Sequence, residues 1–356
     1  MSPSLLPTPI DSDDLPSTFG QALVVRGPGD VGLEPRAALP PSGTQVRVTP
    51  HYVGMCGTDL EILNGDMDPD YVRYPVVLGH EWSGVVAEVG EHVRTVNVGD
   101  SVVVEGIRPC STCPACRRGA TNLCEVYDEL GFTRDGAAGP SVTAEQHLVH
   151  RLEADVPLET GALVEPGSVV LRGLSEIQLL PGMRVLVVGD GTVGLLAAHL
   201  VQLWSPSYVS VAGQREAQRS LAQAMGVDEF TIETPAERSF DVVIEAAGSI
   251  AAVDVALRAA RRGGQVLLLG IAGHGKTAQV GTDDFVNNDL RIRGSFGYTA
   301  ASWAQTTALL NAGRFAPAPL ITHRFPLSGY ADALAALARP SDGPRGKVLL
   351  DLTASA

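Results

Sequence analysis

Four of the five cysteines in this sequence lie within fifteen consecutive positions, at Cys110, Cys113, Cys116 and Cys124. Thiolates spaced in this way can bind one ion from a tight loop, and four of them complete the tetrahedral coordination of a structural zinc. A redox-active pair and unrelated core thiols are the competing interpretations. Proline, arginine and glycine residues interrupt the segment, which is not typical of a hydrophobic core. The spacing therefore predicts a structural zinc site.

A second set of residues, of mixed chemistry, includes the fifth cysteine. Cys56 precedes the pair His80 and Glu81, and Glu165 follows much further along the chain. One sulfur, one imidazole and carboxylates suit zinc and leave a position for water or substrate, as a catalytic zinc requires. We expect Cys56, His80 and Glu165 to be ligands and Glu81 to enter or leave the shell; which glutamate binds in the resting state stays open. Taken singly, His80 and Glu81 could merely begin a strand, and Cys56 could be a core residue.

Two polar residues beside Cys56 have predicted supporting roles. Zinc stabilises an alkoxide for the same reason that it lowers the pKa of bound water. The hydroxyl of Thr58 is placed to pass the released proton outward. Asp59 is expected to accept the second ring N–H of His80 and so to fix its tautomer.

A glycine-rich segment in the second half of the sequence follows an apolar strand, predicted at 183–188, and opens an apolar helix. This is the context of a dinucleotide-binding fingerprint. The first glycine permits the turn, the second lets the backbone approach a pyrophosphate, and the third lets helix and strand pack closely. Amide groups at the helix start would bind the phosphates. The residues of the fingerprint are Gly189, Asp190, Gly191, Thr192, Val193 and Gly194.

The end of the next predicted strand bears on which nicotinamide dinucleotide is bound. A carboxylate there binds the ribose 2′-hydroxyl of NAD, whereas a nearby arginine accommodates the 2′-phosphate of NADP. Here Gly213, Gln214 and Arg215 follow Ala212, and Arg219 comes one helical turn later. The sequence therefore predicts that NADP is preferred. NAD is also possible, if Arg215 is only a solvated residue at the start of a helix.

Another glycine-containing segment allows a different interpretation. Gly270 and the run Gly275-Lys276-Thr277 satisfy the Walker A pattern after the strand predicted at 265–269. No sturdy apolar helix follows, and the apolar run that ends in an acid, 242–245, comes before it. We therefore interpret the segment, with Gly270 and Ile271 at its start, as a loop over the cofactor and not as a nucleotide-hydrolysing site.

The elements that must position these residues change character halfway along the chain. In the first half, short runs separated by Gly, Pro and Asp indicate a barrel-like sheet, with strands at 21–26, 45–49, 83–89 and 101–105. From about Gly182, strands alternate with helices, which indicates a parallel sheet covered on both faces. The strands predicted there are 185–188, 208–212, 241–246, 265–269 and 291–295, with helices at 194–204, 215–225 and 250–261. Helices at 301–312 and 329–337 and a strand at 347–352 are predicted to close the chain.

Length and composition limit the classes of function. The 356 residues are expected to form about two domains. A net charge of -14 argues against nucleic acid or an anionic membrane as the main partner, and no apolar stretch approaches the roughly 18 residues of a membrane span. The segment Met1–Gly20 is rich in Ser, Pro and Asp and is interpreted as a polar lead-in, not a signal peptide. A cytoplasmic, reducing location is therefore expected, which favours metal binding over disulfides.

Together these motifs resemble those of the medium-chain zinc alcohol dehydrogenase superfamily, over almost the whole chain beyond the first twenty residues. The resemblance rests on Gly54-Met55-Cys56-Gly57-Thr58-Asp59, on Gly79-His80-Glu81, on the four cysteines and on Glu165-Pro166. It implies an α/β fold that combines a GroES-like β-barrel catalytic domain with a doubly wound, parallel-sheet Rossmann cofactor domain. By analogy, the catalytic domain comprises residues 1–166 and 298–356, and the cofactor domain comprises 167–297. The resemblance also implies a homodimer or homotetramer that pairs through strand 291–295.

Within the superfamily, the chain is most similar to the polyol, sugar and threonine dehydrogenase branch, where a glutamate replaces the third zinc thiolate. The run 56–65 is similar to that of NADP-using archaeal glucose dehydrogenases. Many relatives carry a relay histidine where this chain has Glu61, so the proton is expected to leave through this carboxylate or through water. Gly167 stands where relatives often have Leu. Asp128 and Glu129 fall where sugar dehydrogenases place a hydroxyl-binding acid, although two solvated loop carboxylates fit the sequence equally well.

The resemblance and the motifs together imply a zinc-dependent oxidoreductase with two zinc ions per chain, one catalytic and one structural. It would transfer a hydride between NADP(H) and a secondary alcohol or ketone of a polyol, sugar or (amino)cyclitol-like substrate. Reduction of a non-sugar aldehyde or ketone is one alternative. A non-catalytic, NADPH-binding regulatory protein is a remote one, against which the intact set Cys56, His80 and Glu165 argues.

Overall fold

The computed structural model describes residues 19–273, 275–339 and 343–354 of the chain. Most of the predicted polar lead-in therefore lies outside the described residues; its last two positions begin the first strand. Among the helices of the described ranges, none has the length and apolar character that crossing a bilayer requires. The cytoplasmic location stays a prediction.

The first part of the chain is built mainly from antiparallel strands. They are β1 Phe19–Gly27, β2 Asp30–Ala37, β3 Gln45–Met55, β4 Val76–Val77, β5 Glu81–Val89, β6 Ser101–Val104, β7 Val142–Glu145 and β8 Val149–Arg151. Within the described chain, β2, β1 and β4 form a small sheet, and the larger sheet contains β3, β5, β6 and β8 in that order, with β7 paired to β3. Buried apolar side chains of β3 and β5 fill the interior of this barrel-like layer, among them Val46, Val48, Val53, Trp82 and Val86. The predicted barrel-like character of the first half is confirmed.

Short helices interrupt this part at the places where chemistry-bearing residues occur. They are α1 Gly57–Asn64, α2 Pro114–Arg117, α3 Leu158–Gly161 and α4 Val164–Ser175. The apolar face of α4 is buried, through Val170, Leu171 and Leu174, and the helix packs against two later helices, Thr192–Leu200 and Ala300–Asn311. Because α4 also contacts β5, it is fixed between the two halves of the molecule.

The second part is a parallel sheet with helices on its faces. Its strands are β9 Arg184–Val188, β10 Tyr208–Ala212, β11 Glu229–Thr231, β12 Phe240–Glu245, β13 Ala260–Leu268 and β14 Arg291–Gly294, and its helices are α5 Thr192–Leu200, α6 Arg219–Ala224, α7 Ile250–Ala259 and α8 Thr282–Asn288. The spatial order is β11-β10-β9-β12-β13-β14, which is the strand order of a Rossmann dinucleotide-binding fold. Its switch point lies between β9 and β12, where ligands bind in such folds.

The end of the chain returns to the first part. Its elements are α9 Ala300–Asn311, α10 Tyr330–Ala338, β15 Ile321–Pro326 and β16 Lys347–Asp351. Strand β16 pairs antiparallel with β3, placing Val348 opposite Met55, and β15 pairs with β16. The last strands therefore complete the sheet that carries Cys56 at the end of β3. The domain limits at residues 166 and 297 stay a proposal, which this return of the chain supports.

Several predicted boundaries differ from the observed ones because caps and turns decide them. The helix predicted at 194–204 begins at Thr192 and ends at Leu200, and a 3-10 turn continues it to Trp204. The helix predicted at 215–225 begins only at Arg219, after a 3-10 turn. Its late start follows from the extended backbone of Arg215, whose amide donates to Asp190. The strand predicted at 265–269 begins at Ala260, directly after α7.

Candidate active site

Cys56 lies between the end of β3 and the start of α1, where its backbone is extended. The carboxylate of Asp59 accepts a hydrogen bond from the Cys56 amide at 2.8 Å, closing the first turn of the helix. This capping arrangement holds the sulfur at the edge of the sheet. The Thr58 hydroxyl lies 3.6 Å from that sulfur.

His80 and Glu81 are brought to Cys56 by the pairing of two strands. Glu81 begins β5 and lies opposite Gly54 of β3, two residues before the cysteine. Gly79, which precedes the histidine, has a φ of 103°, and a Cβ there would lie 2.7 Å from a methyl group of Val53. Only glycine fits this turn, so the strand can begin with both side chains directed at the cysteine.

One ligand atom from each of Cys56, His80 and Glu81 lies within 4.8 Å of the others. The side chains of His80 and Glu81 are almost completely buried. Glu165, which we expected as the third ligand, lies outside this group. It occupies the first turn of α4, so its distance is set by helix packing and not by strand pairing. In this structure Glu81 completes the set, and the binding of zinc by Glu165 stays a proposal.

Glu165 nevertheless belongs to the same electrostatic environment. Its pKa is raised to about 8, chiefly by burial; the neighbouring His80 opposes this rise, and the carboxylates of Glu81 and Glu129 add to it. Burial also raises the pKa of Asp59 and of Glu129. Several carboxylates are thus buried close together, which is unfavourable unless a cation neutralises them.

The amino group of Lys347 provides part of this compensation, and no feature of the sequence indicated it. Its ammonium forms an ion pair with Glu81 and also donates to the carbonyl oxygen of Met55 at 3.2 Å. Both partners of the pair are buried, at 3% and 2% side-chain exposure. Lys347 reaches the site because β16, which it begins, is added to β3 from the far end of the chain.

The residues present fit a zinc ion. Among the described residues, Asp59 Oδ1 and His80 Nδ1 are buried without a hydrogen-bond partner. Their separation of 3.7 Å is too long for the hydrogen bond that we predicted between them, so Asp59 acts on His80 electrostatically. Burial lowers the pKa of His80, but Asp59 and Cys56 outweigh this and hold it well above its usual value. One sulfur, one imidazole and surplus buried carboxylate form a donor set for a dication.

Glu61 lies on the next turn of α1, half-buried. Burial raises its pKa, and the nearby Asp66 adds to this, while Lys276 opposes it. The side chain therefore retains a proton at higher pH than an ordinary glutamate does.

Asp128 and Glu129, which the sequence did not distinguish, face different environments. Asp128 lies within 4.0 Å of the guanidinium groups of Arg108 and Arg134 and is partly exposed. Glu129 is buried, at 6% exposure, and His80 is near enough to lower the pKa of its carboxyl group. It accepts a hydrogen bond from the hydroxyl of Tyr127. Only Glu129 therefore faces the candidate site.

Two aromatic residues that the sequence did not indicate also lie beside the candidate site, near Glu129 and His80. The hydroxyl of Tyr298 accepts a hydrogen bond from the amide of Ile107 at 2.9 Å and lies 3.5 Å from Glu129 Oε1. The ring of Phe132 lies 4.8 Å from the imidazole of His80, between ring centroids. Neither residue belongs to a spacing motif, so only the assembled fold identifies them.

The four-cysteine lobe, residues 110–124, forms a separate group of ligands. The sulfur atoms of its cysteines all lie within 4.8 Å of one another. The Cys113 amide donates to Cys110 at 3.3 Å, and the Cys116 amide donates to Cys113 at 3.4 Å. A hydrogen bond from Thr112, aided by backbone amides, lowers the pKa of Cys110 to about 6. The sulfurs of Cys110 and Cys116 are 4.0 Å apart, close to the about 3.8 Å expected around a tetrahedral zinc with Zn–S bonds of about 2.3 Å.

The lobe is attached to the segment that joins the cofactor sheet to α9. Thr121 accepts a hydrogen bond from the amide of Ala300 at 3.1 Å, and Asn122 donates to the carbonyl oxygen of Phe296 at 2.6 Å. The lobe therefore stabilises the segment through which the chain passes from the parallel sheet back to the first part of the molecule.

The glycine fingerprint lies at the end of β9 and the start of α5, on the edge of the sheet where nucleotides bind in Rossmann folds. A Cβ at Gly189 would lie 2.8 Å from the amide nitrogen of Ala247, and one at Gly194 would collide with the carbonyl group of Gly189. A Cβ at Gly191 would meet no atom within 4 Å. Two glycines are thus required by packing, while Gly191, with Thr192 and Val193 after it, leaves open space at the helix start. The segment fits a pyrophosphate.

After β10, the two arginines proposed to bind a 2′-phosphate make different contacts. The Nη2 atom of Arg215 lies 4.0 Å from Asp190 Oδ1. Arg219 instead donates to the carbonyl oxygen of Phe230 at 2.7 Å and to Glu216 at 3.0 Å. The guanidinium of Arg219 is therefore already occupied, and Arg215 is the better candidate. Gln214 is exposed and follows Gly213 in the same loop.

Gly270 and Ile271 follow β13 and lie beside Gly248, at the same edge of the sheet as the fingerprint. Between them and α8, the described residues form no helix, and α8 itself has no buried residue. Both findings agree with the argument against a Walker A site. His274, within that loop, lies outside the described residues.

Comparison with known proteins agrees with this arrangement. A family model described as the alcohol dehydrogenase GroES-like domain matches residues 42–154. A second model, described as zinc-binding dehydrogenase, matches residues 192–312. The first match contains Cys56, His80, Glu81 and the four-cysteine lobe, and the second begins inside the glycine fingerprint.

Two relatives align over most of the chain. The 2-dehydro-3-deoxy-L-galactonate 5-dehydrogenase of Pseudoalteromonas atlantica is 31% identical over 328 residues, which cover 89% of this chain and 94% of that protein. The galactitol 1-phosphate 5-dehydrogenase of Escherichia coli K12 is 30% identical over 327 residues, which cover 86% and 92%.

Solved structures show the same fold. A zinc-binding dehydrogenase from Sinorhizobium meliloti bound to NADP superposes with a TM-score of 0.88 at 26% identity, covering 94% of this chain and all of that one. An Escherichia coli alcohol dehydrogenase in complex with NADH gives a TM-score of 0.86 at 25% identity, with coverage of 94% and 100%. On these grounds, the chain belongs to the zinc-dependent medium-chain alcohol dehydrogenase superfamily, in its polyol dehydrogenase branch, and is an oxidoreductase.

Proposed function

We propose that this oxidoreductase transfers a hydride between NADP(H) and a secondary alcohol or ketone of a polyol, sugar or cyclitol-like substrate. The observation that carries the proposal is the grouping of Cys56, His80 and Glu81 beside the buried carboxylate of Glu129. The glycine fingerprint, with open space at Gly191, supplies the place for the dinucleotide. The two relatives are named for a sugar acid and a polyol phosphate, which supports a hydroxyl-rich substrate.

The residues that would hold the metal follow from the site. Cys56, His80 and Glu81 would bind the catalytic zinc. Glu165, which is close enough to His80 for each to affect the other's pKa, would join or replace Glu81. The cysteines of the lobe would bind a second, structural zinc. When bound, the catalytic zinc acts as a Lewis acid on the substrate oxygen, and the nicotinamide accepts or donates the hydride.

The proton of the substrate hydroxyl needs an exit, and α1 supplies one. The Thr58 hydroxyl lies beside Cys56 and would accept and pass on this proton. Glu61, whose pKa is raised, follows on the same helix and would receive it directly or through water. Glu129 would accept a hydrogen bond from a second hydroxyl of the substrate, which would orient the carbon that reacts.

We also propose that NADP is preferred, with NAD accepted. The support is the guanidinium of Arg215 after β10 and the absence of an acid from positions 212–214. The similar structures were determined with NADP in one case and NADH in the other.

A substrate panel tests the proposal. Zinc-loaded protein is assayed with polyols, sugars, cyclitols and simple alcohols against NADP⁺ and NAD⁺, and with aldehydes against NADPH. We expect hydroxyl-rich substrates to be oxidised with higher kcat/KM than simple alcohols. Faster turnover of non-sugar aldehydes, with no oxidation of polyols, would favour the alternative function instead.

A pair of variants sharpens this test. Glu129→Gln should raise KM for the best polyol by about tenfold, because a charge-assisted hydrogen bond contributes about 1.5–3 kcal/mol. Asp128→Asn is the matched control, since that carboxylate faces Arg108 and Arg134, and its KM should change by less than about twofold. Equal effects of the two substitutions would contradict the assignment of Glu129.

We propose further that two copies pair along β14. This strand is the last in the described sheet, and all four of its residues are exposed. An exposed strand edge can continue the sheet of a second copy. Sedimentation velocity measures the resulting mass, and a monomer at micromolar concentration would contradict the pairing.

A further inference from the structure

The end of β10 contains a carboxylate that the sequence does not place there. In Rossmann folds, an acid at the end of the second strand binds the ribose 2′-hydroxyl of NAD. Gly213 stands at this point in the chain, immediately after β10. The nearest carboxylate in space is that of Asp190, which the glycine fingerprint supplies from the end of the neighbouring strand.

Asp190 fills the space that a side chain at position 213 would need. A Cβ built on Gly213 would lie 2.7 Å from Asp190 Oδ2, 2.8 Å from Asp190 Cβ and 2.6 Å from the ring of Phe230. No larger residue fits there unless Asp190 moves. The side chain of Asp190 is largely buried, with 14% exposure. The carboxylate is therefore a fixed part of this corner of the sheet.

The contacts of Asp190 hold it in place without neutralising it fully. Its Oδ2 accepts hydrogen bonds from the amides of Gln214 at 3.0 Å and Arg215 at 3.2 Å. Its Oδ1 lies 4.0 Å from Arg215 Nη2, which is too far for a hydrogen bond. Within the described residues, Arg215 Nη1 is buried and has no hydrogen-bond partner. The arginine therefore has donors to spare, next to a fixed negative charge.

Other positive groups nearby are already bound to protein oxygens. Arg219 donates to Phe230 and Glu216. The guanidinium of Arg345, which is also within electrostatic reach of Asp190, donates to the carbonyl oxygen of Leu337. The balance of charge at the end of β10 is thus set mainly by Asp190 and Arg215.

We propose that Asp190 is the specificity-determining residue for the dinucleotide, acting against Arg215. Its carboxylate takes the role of the acid missing at position 213: it favours a ribose 2′-hydroxyl and repels a 2′-phosphate. Arg215 favours the phosphate, so the enzyme accepts both dinucleotides and its preference for NADP is limited by Asp190. The inference rests on the proposed function, since it concerns the cofactor of the same site.

The substitution Asp190→Asn tests the proposal. The amide side chain keeps an oxygen acceptor for the two backbone amides and removes only the charge. Affinities for NADP⁺ and NAD⁺ are measured separately by titration calorimetry, and kcat/KM is measured with each. We expect the preference for NADP⁺ over NAD⁺ to rise by about tenfold or more, because a charge within a few ångströms acts strongly at a partly buried site. A ratio unchanged within about twofold, or shifted toward NAD⁺, would overturn the proposal.

Asp228→Asn is a matched control. The Asp228 carboxylate also accepts a backbone N–H, that of Val209 at 2.7 Å, but at the opposite end of β10. The cofactor ratio should not change in this variant. Equal shifts in the two variants would mean that loosening of the sheet, and not charge, is responsible, and would also overturn the proposal.

Arg215→Gln, added to Asp190→Asn, should abolish the gain in NADP⁺ affinity. If it does not, the arginine is not the opposing group, and the proposal is wrong. If the wild-type protein binds neither dinucleotide, the proposed function itself fails. If it binds both and the ratio does not respond to Asp190, only this inference fails.

Discussion

The two sulfur-containing sites of this molecule are built in opposite ways. The four-cysteine lobe draws its ligands from fifteen consecutive positions and holds them with amide hydrogen bonds of its own loop. The candidate catalytic site joins Cys56, His80 and Glu81, from two paired strands, to Lys347 from the end of the chain and Glu165 from α4. One site is a local structure, and the other exists only in the assembled fold.

This difference explains why the two sites have different electrostatics. In the lobe, the hydroxyl of Thr112 and backbone N–H groups lower the pKa of Cys110, which favours the thiolate that zinc binds, although burial raises the pKa of Cys116 to about 12. In the catalytic site, burial raises the pKa of Asp59, Glu129 and Glu165, which makes that site unfavourable without a cation. Buried carboxylates therefore favour the binding of a metal ion at this site. Because its ligands are not all thiolates, a position stays open on the metal for water or substrate.

The largest expected effect is a loss of kcat/KM when a ligand of the catalytic site, and not of the lobe, is replaced. Cys56→Ser should lower kcat/KM by about 10⁴-fold, or about 5.5 kcal/mol, because the Lewis acid contributes several kcal/mol to the reaction. Zinc measured by atomic absorption should fall from about two ions per chain to about one, while NADPH binding persists. Retention of activity with one zinc lost would contradict the assignment of the catalytic site.

The next prediction concerns the buried ion pair. In the zinc-free protein, Lys347→Met should cause a destabilisation of about 3 kcal/mol, because Glu81 is then buried with neither the ammonium nor a metal ion as its partner. Urea unfolding followed by tryptophan fluorescence measures this change. The control is Arg324→Ala, which removes a partly exposed pair with Glu159 and should cost less than about 1 kcal/mol. Similar costs for the two variants would show that Lys347 has no special role.

The smallest effect on chemistry is expected at the four-cysteine lobe. Cys124→Ser should remove one zinc per chain and change kcat/KM at low temperature by less than about threefold, or about 0.6 kcal/mol. Its half-life at elevated temperature should shorten, since the lobe is attached to the segment at 296–300. A large loss of kcat/KM with unchanged stability would mean that the lobe takes part in the reaction and would remove the contrast with Cys56→Ser.

Much of the fold was predictable because its signals are local. The alternation of strands and helices indicated the parallel sheet, and the spacing of the cysteines and glycines indicated two ligand sites. Element boundaries were less accurate where a cap decides them. The helix after β10 starts late because Asp190 binds the amides of Gln214 and Arg215, a contact between residues more than twenty positions apart.

The parts of the site that could not be predicted depend on which way a side chain turns. Asp128 and Glu129 are adjacent in sequence and equally acidic, yet only Glu129 is directed into the buried site. Lys347 begins an apolar strand, and nothing near it in sequence indicates Glu81 as its partner. Likewise, the missing acid after β10 suggested a cofactor preference, but the nearby carboxylate of Asp190 was not apparent.

The sequence alone determined which ligand types are present and which of them act within one loop, because metal-binding spacing and glycine turns are properties of short segments. The tertiary structure decided which remote groups meet: Glu81 with Cys56 and His80, Lys347 against Glu81, and Asp190 in the space above Gly213. The physical reason is that strand pairing and helix packing fix these distances, and both depend on the whole chain.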